Sequence, residues 1–225
     1  MNKDQVHARI SEVGVVPVVR ASSAEEARFA AQAVAEGGIP IVEITMTVPG
    51  AIEVIRDLVQ ALPQVVVGAG TVLDAETARR CLDAGAEFLV SPALDPATLE
   101  LALRENKFMM AGALSPTEVF TAWHAGSDFV KVFPCSQVGG ASYIKALKGP
   151  FPGVPLVPTG GVSLENAADF IVAGAAALGV GGEMIAKQAL RARTPEPIRE
   201  TARRFVKAVQ DARAQMARAE AAGSP

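Results

Sequence analysis

The sequence contains few of the residues on which small secreted and metal-binding proteins depend. Its 225 residues include only two cysteines, two histidines, one tryptophan and one tyrosine. Cys81 and Cys135 are too few for a disulfide scaffold and match no zinc motif, and two histidines argue against an imidazole metal site. We therefore expect a cytoplasmic protein that needs no metal ion or other cofactor.

An excess of basic residues and long hydrophobic runs are also absent. Lysine and arginine number 21 against 24 acidic residues, a formal net charge of −3, so the chain offers no basic field for nucleic acid. The longest apolar stretch, 171–180, is too short to cross a bilayer. The first ten residues lack the apolar segment of a secretory signal. We expect neither a nucleic-acid partner nor a membrane partner.

Apolar residues, in contrast, are abundant. They make up 50% of the chain, and the mean hydropathy is +0.28, which is enough to build a large core without disulfides or metals. Barrels and large sandwiches of about 200–250 residues commonly form one domain. We predict that residues 1–225 form a single domain.

Short β-branched runs alternate with Ala-rich helical stretches along the chain. The predicted strands are Val15–Arg20, Ile41–Thr45, Val65–Gly70, Phe88–Ser91, Phe108–Ala113, Phe129–Phe133, Leu156–Thr159 and Ala177–Val180. Predicted helices follow them at Ala24–Glu36, Pro49–Ala61, Ala75–Ala84, Pro96–Glu105, Pro116–Ala125, Ala141–Lys148, Leu164–Ala173 and Glu196–Ala217. Eight such units fit a closed (β/α)8 barrel or an open doubly wound sheet, and the number eight favours the closed barrel.

The two ends of the chain add helices to this scheme. Residues 1–12 predict an extra helix that lies across the N-terminal face of the barrel, and residues 196–218 predict a C-terminal helix with one apolar stripe. Four predicted N-caps are Asp74, Asp95, Ser115 and Ser163. Four glycines are predicted to end helices in the left-handed conformation: Gly37, Gly85, Gly126 and Gly174.

Three charged residues lie in or at the end of predicted buried strands. In a barrel the active site lies at the carboxyl ends of the strands, and Lys131, Glu43 and Arg20 are all close to such ends. A desolvated lysine can attack a carbonyl carbon and form a Schiff base, and a partly desolvated carboxylate suits general acid/base catalysis. Arg20 can hold a substrate carboxylate with its planar fork.

Each of these residues also has a purely structural interpretation. Lys131 and Glu43 would then form a buried ion pair, and Arg20 would be a solvated residue at the end of its strand. The position of both buried charges near the strand ends favours catalysis.

Two glycine clusters follow the seventh and eighth predicted strands. Thr159, Gly160 and Gly161 form the first, and Gly181 with Gly182 ends the second. Loops at these positions bind phosphate through backbone N–H groups in many barrels, and a helix starting near Ser163 would add its N-terminus. The clusters are otherwise tight turns. Glu183 directly after the second cluster would repel a phosphate unless its carboxylate points away.

With these residues in place, the sequence resembles the bacterial 2-keto-3-deoxy-6-phosphogluconate (KDPG) aldolase family, which includes the 4-hydroxy-2-oxoglutarate (KHG) aldolases. The resemblance extends from about Val15 to Met184. It rests on Val16–Arg20, Val42–Thr45, Val67–Leu73, Ser91 with Pro92, Gly112 with Thr117 and Glu118, Phe129–Pro134, Lys148–Phe151 and Pro158–Val162.

The resemblance implies a class I aldolase on a (β/α)8 barrel, usually a homotrimer, that cleaves a 2-keto-4-hydroxy acid into pyruvate and an aldehyde without metal. Lys131 matches the Schiff-base lysine, and Glu43 matches the general acid/base. The positions that match the keto-acid pocket are Arg20, Thr71, Pro92 and Phe133. Those that match the phosphate loop are Thr159, Gly160 and Gly161. The substrates implied are KDPG, cleaved to pyruvate and glyceraldehyde 3-phosphate, and KHG, cleaved to pyruvate and glyoxylate.

Two positions depart from the family pattern. Thr47 stands where many members have an arginine, and Glu183 stands where some have a phosphate-binding serine. The first changes how polar groups of the substrate are held, and the second argues against a phosphorylated substrate. The sequence also leaves open an aldolase for a non-phosphorylated keto acid, an oxaloacetate decarboxylase and a non-catalytic barrel that binds a metabolite.

Overall fold

A computed structural model describes residues 1–223, in which eight strands alternate with helices. The strands are β1 (Val15–Val19), β2 (Ile41–Thr45), β3 (Val66–Gly70), β4 (Phe88–Val90), β5 (Phe108–Ala113), β6 (Phe129–Val132), β7 (Leu156–Pro158) and β8 (Leu178–Val180). The helices are α1 (Lys3–Val13), α2 (Ala24–Glu36), α3 (Ala51–Ala61), α4 (Ala75–Asp83), α5 (Pro96–Arg104), α6 (Pro116–His124), α7 (Ala141–Lys148), α8 (Ala167–Val172), α9 (Lys187–Ala192) and α10 (Glu196–Gly223). A short 3-10 turn, Cys135–Val138, follows β6.

The eight strands are parallel and form one sheet in the order β7-β6-β5-β4-β3-β2-β1-β8. The two end strands meet through an isolated bridge between Thr159 and Gly179, which closes the sheet into a barrel. A Cβ atom added to Gly179 would lie 2.2 Å from Oγ1 of Thr159, so this seam closes only around a glycine. The predicted α/β fold, a (β/α)8 barrel, is confirmed.

Four strands end one residue earlier than predicted. The residues just beyond their ends are Arg20, Ser91, Phe133 and Thr159. Backbone hydrogen bonds to the neighbouring strand continue at Ser91, Phe133 and Thr159, so the sequence pattern does not mark the end of each strand. Three of these four residues are predicted site residues, and the structure places all three in the loops at the carboxyl end of the barrel.

Most of the predicted helix starts are confirmed. Side chains of Asp74, Asp95 and Ser115 accept hydrogen bonds from backbone N–H groups three residues on, at 2.7, 2.9 and 3.3 Å. The prediction for Ser163 is wrong, because α8 begins only after Asn166. The backbone N–H of Ser163 instead donates to Oδ1 of Asn166 at 2.8 Å, which organises a turn in place of the first helical turn.

Helix ends follow the glycine prediction with one exception. Positive φ angles of 100°, 100° and 97° are found at Gly85, Gly126 and Gly174. Gly37 has a φ of −76°, and the left-handed residue is Gly38. A Cβ atom added to Gly37 would lie 2.7 Å from Cβ of Ala202, so this glycine permits close packing of α10 against α2.

Helix α1 covers the N-terminal face of the barrel, as predicted. The His7 ring packs edge-on against Phe108 and Phe129, the first residues of β5 and β6, with ring centroids 5.8 and 5.0 Å apart. Lys3 forms an ion pair of 2.8 Å with Asp128, which precedes β6. Apolar contact and paired charge together seal this end of the barrel.

Helix α10 is longer than the predicted helix at 196–218. Its buried stripe consists of Ile198, Ala202, Phe205, Val209 and Ala212. The sequence did not predict the short helix α9. Within residues 1–223 no helix is long and apolar enough to span a membrane. That residues 1–225 form one domain stays a prediction, and its last two residues lie outside the described part.

Candidate active site

Two buried charged residues lie on opposite sides of the barrel. Glu43 is the third residue of β2 and Lys131 the third of β6, four strands away in an eight-stranded barrel. Residues on strands of the same parity belong to common layers of the interior. Only 2% of Glu43 and 3% of Lys131 is exposed to solvent. The fold therefore brings together two residues that are 88 positions apart in the sequence.

The carboxyl group of Glu43 is not neutralised by a close partner. Burial raises its pKa above the usual 4.5, and the positive charges of Lys131 and then Arg20 partly oppose that rise. Its Oε1 atom is buried without a hydrogen-bond partner. A raised pKa lets this carboxyl group keep its proton to a higher pH than an ordinary glutamate does, which suits it to proton transfer better than a carboxylate tied into an ion pair.

Gly70, at the end of β3, makes room for this carboxyl group. A Cβ atom added there would lie 1.9 Å from Oε1 of Glu43. Gly70 is not among the site residues that the sequence predicts. A glycine that ends a strand next to a buried glutamate was the available signal.

The surroundings of Lys131 are apolar. Its Nζ lies 5.4 Å from the centre of the Phe133 ring, and its neighbours in the sheet are Gly112 on β5 and Val157 on β7. Position 112 requires glycine, because a Cβ atom there would lie 2.1 Å from the carbonyl carbon of Pro92. The amine is thus held in a narrow space bounded by an aromatic ring and backbone.

Arg20 and the two glycine loops line one cavity of about 240 Å³. Its walls include Thr159, Gly160, Gly161, Gly181, Gly182 and Glu183. The structure thus brings together all five residues of the predicted anion-binding loops. Glu183 belongs to the same wall and therefore shares the cavity in which the predicted loops would hold a phosphate.

The two glycine clusters differ in why they contain glycine. Gly160 and Gly161 have φ angles of 87° and 78°, a conformation that only glycine adopts readily. Gly181 and Gly182 have no such requirement, and a Cβ atom at Gly182 would meet nothing within 4 Å. The turn explains why the first pair is glycine. The second pair leaves open space through which a ligand can approach the backbone. The predicted helix N-terminus near Ser163 is absent here, because α8 starts later.

Pro92 and Phe133 line a second cavity of about 330 Å³, together with Gly112, Thr117 and Glu118. Thr71 lines neither cavity; it follows β3 with a φ of 57°, which is unusual for a residue with a side chain. Lys131 and Glu43 also line neither cavity. Both lie deeper, below the loops that form the cavity walls.

Thr47, one of the two departures from the family pattern, is exposed but hydrogen-bonded. Its hydroxyl lies 2.7 Å from that of Thr45, which in turn donates to the Val19 carbonyl at 3.0 Å. Thr47 thus reinforces the link between the ends of β1 and β2.

The thiol groups and histidines do not contribute to this site. Burial raises the pKa of Cys135 to about 11 and that of Cys81 to about 12, so neither is an activated nucleophile. His7 lies at the opposite face, and His124 stacks on Phe120 with ring centroids 3.8 Å apart. Residues 1–223 contain no group of three or more potential ligands that could hold a metal ion.

Comparison with known proteins identifies relatives along most of the chain. A family model described as KDPG and KHG aldolase matches residues 6–200. The 2-dehydro-3-deoxy-phosphogluconate aldolase of Pseudomonas aeruginosa is 36% identical over 174 residues, which cover 76% of this chain and 79% of that protein. The KHG/KDPG aldolase of Escherichia coli K12 is 32% identical over 193 residues, which cover 85% and 90%.

A solved structure shows the same fold with a bound reaction component. It is the KDPG aldolase of Legionella pneumophila, with pyruvate captured at low pH as a covalent carbinolamine intermediate. It superposes with a TM-score of 0.81 at 28% identity, and the match covers 87% of this chain and 95% of that one.

Proposed function

Because this chain belongs to the family of KDPG and KHG aldolases, we propose that it cleaves 2-keto-4-hydroxy acids by way of a Schiff base on Lys131. It is a class I, pyruvate-dependent carbon–carbon lyase, and the Schiff-base mechanism needs no metal ion. The observation that carries the residue assignment is the pair formed by buried Lys131 and Glu43 on opposite strands, with Oε1 of Glu43 unpartnered.

The reaction begins with attack of the Lys131 amine on the C2 ketone. The resulting carbinolamine loses water to give an iminium. Glu43, directly or through a water molecule, removes the proton of the C4 hydroxyl, and the C3–C4 bond breaks. Its electron pair moves into the iminium, which becomes an enamine as the aldehyde leaves. Protonation at C3 and hydrolysis then release pyruvate and regenerate the amine.

The raised pKa of Glu43 suits both halves of this cycle. Its carboxylate form accepts the hydroxyl proton, and its acid form can return a proton to the enamine carbon. Opposite Glu43, the positive charge of the iminium attracts the electron pair of the C3–C4 bond, and this charge is lost when the enamine forms.

The substrate is held at the carboxyl end of the barrel. We assign the keto-acid portion to Arg20, Thr71, Pro92 and Phe133, and the distal end to the cavity of Thr159, Gly160, Gly161, Gly181 and Gly182. The relatives act on KDPG and on KHG, as their names state, and we propose both as substrates here. Glu183 in the cavity wall favours the substrate without phosphate.

We further propose a homotrimer in the cytoplasm that acts on a small 2-keto acid. Exposed Leu73, Phe120 and Trp123, at 62%, 48% and 37%, supply apolar surface for contacts between subunits. The free thiols of Cys81 and Cys135 are compatible with a reducing compartment. Light scattering after size-exclusion chromatography tests the trimer, and a monomer at assay concentration would contradict it.

The decisive experiment is reduction of the protein with sodium borohydride in the presence of pyruvate, followed by intact mass measurement and peptide mapping. We expect a pyruvate-sized adduct on Lys131 in the unaltered protein and none in Lys131→Ala. Lys148→Ala serves as the matched control, because Lys148 is a half-buried lysine whose ammonium donates to the backbone carbonyls of Pro152 and Val154, just before β7. An adduct on any other lysine would contradict the assignment.

A further inference from the structure

A third cavity at the carboxyl end of the barrel has three positively charged residues in its wall. It has a volume of about 290 Å³ and lies beside the glycine-loop cavity, with Arg20 in the wall of both. Its other charged residues are Lys187 and Arg191, one turn apart on helix α9, and Glu26 on α2. Neither the reaction nor the binding of a keto acid accounts for these residues.

The three cations are not neutralised by neighbouring carboxylates. Within residues 1–223, Arg20, Lys187 and Arg191 form no ion pair, whereas the nearby Arg193 pairs with Glu25 at 2.6 Å. Charges that serve only solubility are usually scattered, but these three converge on one concave surface. The cavity wall therefore holds three cations, and Glu26 is its one acidic residue.

The one acidic residue of this cavity is already engaged. Oε2 of Glu26 accepts hydrogen bonds from the backbone N–H and the hydroxyl of Ser22, at 2.9 and 2.5 Å. These bonds, and then the charges of Arg191 and Arg193, lower the pKa of Glu26 despite some opposition from burial. Glu26 thus stays ionised and orders the loop after β1. Three positive charges and one negative charge leave a formal excess of two in the wall.

We propose that this cavity, formed by Arg20, Lys187 and Arg191, is a binding site for a phosphate group. A phosphate carries a charge of about −1.5 to −2 at neutral pH and offers several acceptor oxygens, which matches the excess charge of the wall. Arginine forks and a lysine ammonium are the donors that proteins use for this group. The site is separate from the glycine loops, and its one carboxylate, that of Glu26, is held by the hydrogen bonds from Ser22.

The shared position of Arg20 connects this site with the active site. An anion in the cavity would draw the guanidinium of Arg20 toward α9, away from the glycine loops. Because one guanidinium cannot fully serve both cavities, the two sites are coupled, and the coupling is reciprocal. The inference concerns a binding site only and stands whether or not Lys131 forms a Schiff base.

The test is protection of Lys187 from acetylation by an N-hydroxysuccinimide ester, followed site by site with mass spectrometry. Inorganic phosphate and a phosphate monoester are titrated separately, with sodium chloride at matched ionic strength to account for screening. We expect phosphate to slow the labelling of Lys187 but not of Lys145, an exposed lysine on α7. Protection by inorganic phosphate shows that the group alone binds, and protection by the monoester alone assigns the site to an ester.

A variant of the second cation on α9 shows whether the site is built as proposed. In Arg191→Ala, the phosphate concentration for half-maximal protection of Lys187 should rise about tenfold or more, as expected for loss of one charged hydrogen bond. Arg204→Ala, which removes an exposed arginine from α10, is the matched control and should change nothing. Absence of protection by either phosphate compound, or protection that Arg191→Ala leaves unchanged, would overturn the proposal.

Discussion

The two faces of the barrel differ in whether their charged residues are paired. At the N-terminal face, Lys3 is paired with Asp128 at 2.8 Å and aromatic rings pack beneath α1. At the carboxyl face, Oε1 of Glu43 is buried without a partner, and Arg20 lines two cavities without a counter-ion. Paired charges and packed rings stabilise one end, whereas unpaired charges at the other end remain available to a ligand. The difference agrees with the separation of stability and catalysis between the faces of such barrels.

The sharpest test of this comparison exchanges one lysine on each face for alanine. Lys131→Ala should reduce kcat/KM for aldol cleavage by on the order of 10⁴-fold or more, because the covalent route is lost. Lys3→Ala removes a paired lysine and should cost at most about 1 kcal/mol of stability with no change in kcat. Pyruvate release in a coupled dehydrogenase assay and denaturant unfolding measure the two effects. Comparable loss of activity in both variants would abolish the distinction between the faces.

The second prediction concerns the carboxyl group that lacks a partner. Glu43→Gln should lower kcat by about 10²–10⁴-fold, the usual contribution of general acid/base catalysis. Borohydride trapping of pyruvate on Lys131 should persist, because formation of the iminium that borohydride reduces does not break a carbon–carbon bond. Loss of trapping in a folded Glu43→Gln protein would show that Glu43 acts earlier than proposed.

The same residue makes stability depend on pH in a defined direction. Since the folded-state pKa of Glu43 is raised above 4.5, its contribution to stability is fully present below the unfolded value and is lost as the pH rises through the folded value. Glu43→Gln should therefore gain stability relative to the parent at neutral pH and lose that advantage below about pH 4. Urea unfolding at several pH values measures this difference, and a difference that does not vary with pH would contradict it.

A smaller effect is expected from filling the space next to the carboxyl group of Glu43. Gly70→Ala would place a Cβ atom 1.9 Å from Oε1 of Glu43, which forces that carboxyl group to move. We expect kcat to fall by about 10–100-fold, since a displacement of about 1 Å can cost that much. Gly153→Ala is the control, because a Cβ atom there meets nothing within 4 Å and Gly153 precedes β7 at the opposite face. Equal activity of the two variants would rule out this role for Gly70.

Gly70 also shows what the sequence could and could not predict. Strand periodicity predicted the barrel, and charged residues within apolar strands identified Lys131 and Glu43 as candidates without any contact information. The role of Gly70 depends on where a side chain from the neighbouring strand points, which the local pattern does not encode. Helix α9 escaped detection for a related reason: its six residues are too few for a helical period to emerge.

The error at Ser163 has a different origin. Serine is a good N-cap by itself, but here the side chain of Asn166 accepts from the backbone N–H of Ser163 and forms a turn in place of the first helical turn. The glycine loops therefore lack a helix N-terminus, and any anion there depends on backbone N–H groups and Arg20. Whether residues 163–166 form a turn or the start of a helix depends on this side-chain hydrogen bond, which local propensity does not predict.

The smallest expected effect is that of Glu183, and it decides how the glycine-loop cavity is used. Glu183 is exposed, so solvent and salt weaken its repulsion of a phosphate. Glu183→Ser should lower KM for KDPG by about three- to tenfold, corresponding to roughly 1 kcal/mol, and KM for KHG by less, because the distal carboxylate of KHG carries a smaller charge than a phosphate. The effect should shrink at high salt, because the repulsion is electrostatic. If KM for KDPG stays the same at low salt, the carboxylate does not face the ligand, and Glu183 gives no argument against a phosphorylated substrate.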